Sequence, residues 1–404
     1  VIKNYLFPDN LILYWIRKLK EEEPLFLVGG SVRDFLLQRA YRDYDFLLEG
    51  DVFSFVSRLK EKIGGKAVFN KRFLTATLKL KEITLDFASA RKEHYSRPGS
   101  LPRVMPTSWQ EDLKRRDFTI NTLAIPLLKE GWGEIIDLCD GQKDLSQGLI
   151  RILHEQSFKD DPTRILRAIR YKNRLGFTIE KTTLERLKQS WPYLEKVSPR
   201  RRLKEWQLLC TEDTVEQSMK DIFDLGGWPY FTGGLLSVQQ IKTWASWQLP
   251  KQLPKEICPW YYYLLLFLIK EQHQLAVISS YWGLYPQEKD GLKRILVLVQ
   301  NQKQLDQLTR RQLLARIKEL PSEGRYFLFR ENPQWGESWD DFCQEIIANK
   351  MPVRGSDLLK LGIKQGPEVG KLLLRLEEFY RMHFFNTKKE GLELANRLLK
   401  GENK

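Results

Sequence analysis

Asp43 and Asp45 stand two positions apart at the start of a stretch, Tyr44 to Leu48, that reads as a strand. Residues i and i+2 of a strand point to the same face. Two neighbouring carboxylates repel, so folding gains nothing from them unless a cation sits between; the alternative is a solvated edge strand. Upstream, Gly29-Gly30-Ser31-Val32-Arg33-Asp34 reads as a glycine turn entering a helix, with Ser31 as N-cap. Such a turn exposes backbone N–H groups, and a helix N-terminus favours anions. Arg33 adds a charged donor in the first turn. Mg²⁺ prefers carboxylate plus phosphate oxygens to an all-protein cage. A phosphate cradle beside a divalent-metal pair is what nucleotidyl transfer requires. Asp86 offers a third carboxylate. In Ile83 to Phe87, Leu85 and Phe87 share one strand face and Asp86 lies on the other. Acidic groups around a two-metal site lower the pKa of an attacking hydroxyl and hold a leaving pyrophosphate. The alternative for Asp86 is a surface strand aspartate.

These groups need a sheet to position them. Leu25 to Val28 is a short apolar run meeting the glycine turn, hence a buried strand. Leu11 to Glu23 and Val52 to Ile63 read as helices. Phe73 to Leu80 and Ile83 to Ala88, around Lys81-Glu82, read as a β-hairpin. After Ile150 the pattern is helical at nearly every point, with helices over Pro162 to Leu175, Lys181 to Gln189 and Arg200 to Leu209. The expected class is therefore α+β: a small mixed-sheet head followed by an all-helical remainder. Trp206, Trp228, Trp244, Trp247, Trp260 and Tyr261 to Tyr263 are expected in the helical core.

Composition sets the outer bounds. The chain has 404 residues, 66 basic against 52 acidic, for a net charge of +14. About 42% of residues are hydrophobic, which excludes a disordered chain. No apolar run reaches the ~20 residues of a membrane helix. The four cysteines and four histidines are scattered, which argues against zinc or a disulfide framework and for a reducing, cytoplasmic compartment. The basic excess favours a polyanionic partner.

Four segments carry a family resemblance. Leu27 to Asp34 followed by Arg42 to Asp45 resembles the first motif of the class II tRNA nucleotidyltransferases and bacterial poly(A) polymerases. Arg115 to Asn121 resembles their second motif. Ile136 to Gly141, with Asp144-Leu145 and Ile150-Arg151, resembles their third. Asp160 to Arg170 resembles their nucleobase-reading motif. The resemblance implies a catalytic head over 1–147 and a helical neck over 148–205. A helical body over 206–330 and a helical tail over 331–404 would follow. It implies metals on Asp43 and Asp45, with Asp86 at the third acidic position. Gly29, Gly30 and Arg33 would meet the triphosphate. Arg116 and Asp117 would meet phosphate or ribose, and Asp161 and Arg164 the base edge.

Chemistry supports the last pair independently. A carboxylate only accepts hydrogen bonds and a guanidinium only donates. Adenine and cytosine each present an amine beside a ring-nitrogen acceptor; guanine and uracil present the reverse. Asp161 and Arg164 can therefore select A or C without a template. Arg164, Arg167 and Arg170 recur every third residue and offer a basic ladder to a triphosphate, the alternative being a solvated face.

Two positions depart from the family pattern. Asp160 stands where the family usually has Glu. Arg200 stands where the next motif, resembled by Val197 to Glu205, normally has Glu. Arg200, Arg201 and Arg202 would form a basic stripe suited to RNA backbone. Arg91 to Val104 resembles the loop between the first two motifs and is expected to be mobile. Asp357 to Gly370 reads as helix, glycine turn and helix. Amides of that turn, around Lys364, Gly366 and Gly370, would grip a phosphate at the tRNA elbow, as the resemblance implies; an ordinary helical corner is the alternative.

The expected function is template-independent nucleotide addition at the tRNA 3′ end, with ATP and CTP as candidate substrates, Mg²⁺ as cofactor and no membrane partner. The partner would be tRNA, held at its acceptor arm and elbow. Val1 in place of Met suggests a piece of a longer protein, which leans towards terminal A addition, since long A-adding forms carry extra N-terminal domains. Full CCA addition, CC addition, a poly(A) polymerase, an antibiotic-modifying nucleotidyltransferase and a non-catalytic RNA-binding protein are the other readings.

Overall fold

The computed structural model describes residues 7, 9–40, 43–234, 253–269, 274–305, 307–348, 350–363, 366–382 and 384–399. The chain divides into two compact units, 1–249 with 281–283 and 250–280 with 284–404.

The first unit opens with eight strands: β1 (Leu25–Val28), β2 (Asp43–Leu48), β3 (Lys66–Asn70), β4 (Thr75–Lys79), β5 (Thr84–Ser89), β6 (Arg91–His94), β7 (Arg103–Pro106) and β8 (Ala124–Pro126). Six of them form one mixed sheet in the order β3-β4-β5-β2-β1-β8. β2 runs parallel to β5, and the other neighbours are antiparallel. The Asp43–Asp45 strand is thus central, which disposes of the edge-strand alternative. Its period-2 pattern explains the placement. Tyr44, Phe46 and Leu48 lie on one face, where Phe46 stacks on Phe87 at 4.8 Å between ring centroids. Phe55, from the helix Val52–Ile63, covers that face at 5.3 Å from Phe87. Fully burying such a ring contributes roughly 1.5–3 kcal/mol, so register is strongly fixed. The acidic residues are thereby committed to the opposite face.

Three helices come before β3: α1 (Asn10–Leu19), α2 (Gly30–Leu36) and α3 (Val52–Ile63). Helix α2 begins two residues earlier than Ser31 as N-cap would allow. Gly29 takes the N-cap position with φ +65°, and Ser31 turns to β2 instead. Its hydroxyl accepts from the Asp45 amide at 2.8 Å and donates to the Asp43 carbonyl at 3.2 Å.

Several strands were not evident in the sequence, β3, β6 and β7 among them. β3 shows no alternation of burial, because most of its side chains are exposed. β6 and β7 pair as an antiparallel ribbon, from Arg91↔Pro106 to His94↔Arg103. The segment expected as a loop thus has a short ribbon at its two ends, with residues 95–102 as the loop between them. Arg115 anchors it, donating to the Arg91 carbonyl at 2.7 Å and to Glu93 at 2.5 Å.

Helices then dominate: α4 (Trp109–Lys114), α5 (Gly141–Gln147), α6 (Ser157–Asp160), α7 (Thr163–Leu175), α8 (Lys181–Ser190), α9 (Pro199–Cys210), α10 (Val215–Asp224) and α11 (Trp228–Thr232). Between α5 and α6 lies β9 (Leu149–Ile150), parallel to β10 (Thr178–Ile179). Helix α7 packs on α9 and α10. Trp206 is fully buried, with Phe231 and Trp282 against its ring, so it is core. Trp228 and Tyr261 to Tyr263 are buried too, while Trp244 and Trp247 lie outside the described residues.

The second unit is all helical where described. Pro259–Leu268 packs against Ser322–Glu331. Near its end, Gly355–Lys360, Pro367–Arg381 and Lys388–Leu399 close around Leu358, Leu376, Phe385 and Ala395. No described helix is long and apolar enough to cross a membrane.

Candidate active site

The sheet register puts the carboxylates together. Asp45 pairs with Asp86 across β2 and β5, and Asp86 with Thr77 across β5 and β4. Asp43 lies two residues along the same face. The Thr77 hydroxyl donates to Asp86 and orients it. Burial pushes the Asp45 carboxyl up to about 6; Asp86 and Asp43 add to the rise, while Arg116 and Arg33 oppose it. Crowded like charges of this kind favour a bound cation. Among the described residues, no three His, Cys, Asp or Glu side chains converge closely enough to hold an ion unaided. That donor set suits Mg²⁺, which takes one or two carboxylates and fills its shell with water and phosphate oxygens.

The glycine turn closes one side of this face. A Cβ on Gly29 would stand 2.9 Å from Arg116 Nη1 and 3.7 Å from Asp45 Oδ2. One on Gly30 would stand 3.5 Å from Asp45 Oδ2. The Gly29 amide is committed to the Leu123 carbonyl at 3.2 Å, so that N–H is not a phosphate donor. Gly29→Ala should cost about 1–3 kcal/mol, because φ +65° strains any other residue. It should also displace Arg116 and lower nucleotide incorporation. Thermal melting and an incorporation assay read the two effects separately. A lowered melting temperature with unchanged incorporation would show that Arg116 has no part at the turn.

Facing the acids is a cavity of about 690 Å³, large enough for a nucleotide. Its walls include Gly29, Gly30, Asp45 and Asp86 from the sheet side, and Arg116, Asp117, Asp161, Arg164 and Arg167 from the helical side. Arg116 is held by Asp112 at 3.2 Å. Arg167 donates through Nε and Nη2 to Asp117 at 2.8 and 2.5 Å, and Nη2 also reaches the Tyr171 hydroxyl at 3.2 Å. Burial alone would push the Asp117 carboxyl up, but Arg167, Asn121 and Arg164 override it and hold it well below the usual carboxylate range.

The base-reading pair is anchored from behind. Arg164 donates from Nη1 to Ser157 Oγ at 2.6 Å and from Nη2 to the Arg115 carbonyl at 2.9 Å. Asp161 Oδ1 accepts from the Thr163 amide and hydroxyl and from Arg201 Nη2 at 2.7 Å. Arg201 also reaches the Gly99 carbonyl at 3.2 Å. Thr77, Ser31 and Tyr95 were not assigned site roles from the sequence, and Arg201, expected on an RNA-facing stripe, lines the cavity instead. Thr77 had one legible signal, since alternation along β4 sets it on the face opposite Ala76 and Leu78.

Several expected contacts are absent from the cavity. Arg33 is buried behind the turn. Its Nε and Nη2 clasp Asp34 at 2.9 Å each, and its Nη1 donates to Asn121 Oδ1 at 2.6 Å. It supports the site rather than facing a triphosphate. Arg170 is buried on another face of α7, with Nη1 at 3.3 Å from Glu212. The ladder thus keeps two rungs at the cavity, Arg164 and Arg167. Arg200 to Arg202 form no stripe. Arg200 is exposed, Arg201 enters the cavity wall, and Arg202 is buried. Arg202 donates to the Val197 and Tyr281 carbonyls at 2.6 Å each. Arg202→Ala should therefore cost about 2 kcal/mol or more in stability. It should leave the salt dependence of RNA binding unchanged, as salt titrations of affinity can check.

In the second unit, Gly366 precedes the helix Pro367–Arg381 with an extended φ of 162°, and Gly370 lies within that helix. Neither has an atom within 4 Å of where a Cβ would stand. Lys364 lies outside the described residues.

A parallel-paired acidic row facing a nucleotide-sized cavity outlines a nucleotidyltransferase, and sequence relatives specify which family. The Poly A polymerase head domain matches residues 25–151, and the family described as "Probable RNA and SrmB- binding site of polymerase A" matches 176–231. The A-adding tRNA nucleotidyltransferase of Halalkalibacterium halodurans is 31% identical over 380 residues, covering 92% of this chain and 88% of that protein. The A-adding enzyme of Geobacter sulfurreducens is 31% identical over 388 residues, but the chain spans only 43% of its length. Among solved structures, a CCA-adding enzyme with ATP superposes with TM-score 0.67 at 26% identity, covering 98% of this chain and 97% of that one. The Thermotoga maritima CCA-adding enzyme complexed with tRNA superposes with TM-score 0.62 at 25% identity, covering 98% of each chain. The chain belongs to the tRNA nucleotidyltransferase and poly(A) polymerase family.

Proposed function

We propose that the chain adds the terminal A to the 3′ end of tRNA, taking it from ATP and releasing pyrophosphate. The observation that carries the chemistry is the row Asp45–Asp86–Thr77, with Asp43 beside it, facing a cavity whose far wall holds Asp161 and Arg164. Preference for A over C rests on the two A-adding relatives.

In this reading Asp43 and Asp45 hold Mg²⁺, which when bound would neutralise the triphosphate and acidify the attacking hydroxyl. Asp86, fixed by Thr77, accepts from the tRNA 3′-hydroxyl side of the site. Arg116 and Arg167 face the triphosphate, and Asp117 holds Arg167 for that purpose. Among the described residues, the hydrogen bonds to Asp161 all fall on Oδ1, which leaves Oδ2 to accept from the base amine. Arg164 uses two of its five N–H groups on protein partners and keeps others for the ring nitrogen. We assign residues 1–147 to a catalytic head, 148–205 to a neck and the remaining helices to tRNA, with the turn at Gly366 at the elbow.

The test is incubation with tRNA ending before CCA, after C and after CC, each with single nucleotides. Only the last, with ATP, should be extended. Incorporation of C into the first two would replace A addition by CC or CCA addition. Extension of an unrelated RNA by many A residues would favour a poly(A) polymerase. Asp161→Asn offers an amide where only an acceptor stood. It should narrow the preference for ATP over GTP by about 100-fold, measured as the ratio of kcat/KM values. An unchanged ratio would remove Asp161 from base reading.

A further inference from the structure

The cavity contains one acidic group for which nothing above has a use. Glu205 lies on α9, one turn beyond Arg201, and lines the same cavity as Asp161, Arg164 and Arg167. It is only 8% exposed, and its Oε2 is buried with no hydrogen-bond partner among the described residues. A buried carboxylate oxygen without a donor is costly to a fold. Guanidiniums are close enough to act on it electrostatically, namely Arg167, Arg170 and Arg201. Yet the hydrogen bonds they make run elsewhere, and Arg170 Nε is itself buried without a partner among the described residues. Arg167 gives Nε and Nη2 to Asp117, Arg170 gives Nη1 to Glu212, and Arg201 gives its two terminal nitrogens to Gly99 and Asp161. These arginines supply a field that tolerates the carboxylate but leave Oε2 unmatched. Burial nonetheless pushes the Glu205 carboxyl up, and Asp161 adds to the rise, which shows how little solvent compensates it.

An unmatched acceptor in a ligand cavity calls for a ligand donor. Phosphates are excluded, because they present only acceptor oxygens to a neighbouring carboxylate. The donors a nucleoside triphosphate carries are the exocyclic amine of its base and its ribose hydroxyls. The base edge is favoured, because Glu205 shares its wall with Asp161 and Arg201 and interacts electrostatically with both. An exocyclic amine has two hydrogens. Asp161 Oδ2 takes one in the reading above, and the other needs a second acceptor. We propose that Glu205 is a nucleotide-contacting residue whose Oε2 accepts the second hydrogen of the amine of the incoming base. The proposal rests on the nucleotide-binding reading of the cavity, and it makes amine recognition a two-carboxylate task.

The experiment pairs deletions in the protein with deletions in the nucleotide. Wild type, Glu205→Gln and Glu205→Leu are compared on ATP, on purine riboside triphosphate, which lacks the amine, and on 2′-deoxyATP. Melting temperatures identify any variant that fails to fold, and Glu205→Gln, being nearly isosteric, keeps the comparison available if Glu205→Leu does. In the wild type, loss of the amine should lower kcat/KM by about 10- to 100-fold. In the Glu205 variants that penalty should shrink by about tenfold, while the 2′-deoxy penalty stays as in the wild type. A purely structural Glu205 would lower the melting temperature and leave both penalties unchanged, which overturns the proposal. A masked 2′-deoxy penalty with an unmasked amine penalty also overturns it, by moving the contact to the ribose. If the wild type incorporates C instead of A, the same cycle is run with CTP and its 4-deamino analogue. Failure of the A-adding reading is thereby separate from failure at Glu205.

Discussion

Asp45→Asn should abolish nucleotide incorporation while making the protein harder to melt. The two effects have one cause. Asp45 is packed beside Asp86 and Asp43, and its carboxyl is pushed up to about 6, with burial as the leading contribution. A carboxyl raised in the folded state binds more protons there than in the unfolded chain between pH ~4 and ~6. Stability therefore falls as pH rises through that window, and the deficit is full above it. The shift corresponds to about 3 kcal/mol at most. Asn keeps the shape and removes the charge, so at pH 7.5 the variant should melt higher than the wild type. At pH 4 the gap should close. Added Mg²⁺ should raise the wild-type melting temperature and leave the variant's unchanged, since binding to the folded state alone is what stabilises. The rate should fall about 1,000-fold or more, as losses of groups that stabilise developing charge do. A variant that melts lower at pH 7.5 would show that Asp45 is a paired structural carboxylate. Retained activity would take the metal site away from β2.

Much of this acidic face was legible because strand periodicity is simple. Asp43 and Asp45 share a face by alternation, and Leu85 and Phe87 commit Asp86 to the polar side. Order within the sheet was not legible, because pairing of β2 with β5 is a long-range event that spacing does not encode. The helical side was read less well for a geometric reason. Successive helix residues point about 100° apart, so Arg200, Arg201 and Arg202 diverge into solvent, cavity and core. Residues three apart drift by about 60° per step, which carries Arg170 away from the face of Arg164. Arg33 was misplaced for a different reason. A guanidinium beside a glycine turn looks available until its partners are known, and Asp34 and Asn121 lie one and 88 residues away. The Arg91 to Val104 segment looked like a loop because Pro and Gly punctuate it. Its ribbon depends on Arg115 and Asp112, whose side chains reach it from α4 and its end.

Asp117→Ala should be the most destabilising substitution in the site and should also silence it. Asp117 sits in a closed circuit of side chains. Arg33 donates to Asn121, Asn121 donates to Asp117 Oδ1 at 2.9 Å, and Arg167 clasps Asp117 Oδ2. Arg167 then reaches the Tyr171 hydroxyl, and the Arg33 guanidinium lies 5.0 Å from the Tyr171 ring centroid. The circuit joins α2, the turn Thr119–Asn121 and α7. Removing Asp117 leaves the Arg167 guanidinium, 31% exposed, without its partner, at a cost of about 2–3 kcal/mol once solvent screening is allowed for. Asp117→Asn should be milder, since the amide oxygen still accepts while the charge is lost. The sign of the pH dependence follows from the lowered carboxyl of Asp117. Its stabilisation is full above the unfolded value near pH 4 and is lost as pH falls below it. Denaturant melts of wild type and Asp117→Asn should therefore differ at pH 7 and converge on acidification towards pH 2. Activity at pH 7 should fall about 100-fold in the Asn variant, because Arg167 is no longer aimed at the cavity. The fall should appear in kcat as well as KM. A variant with full activity and lowered stability would make the circuit a scaffold alone, and Arg167 would then have no part in nucleotide transfer.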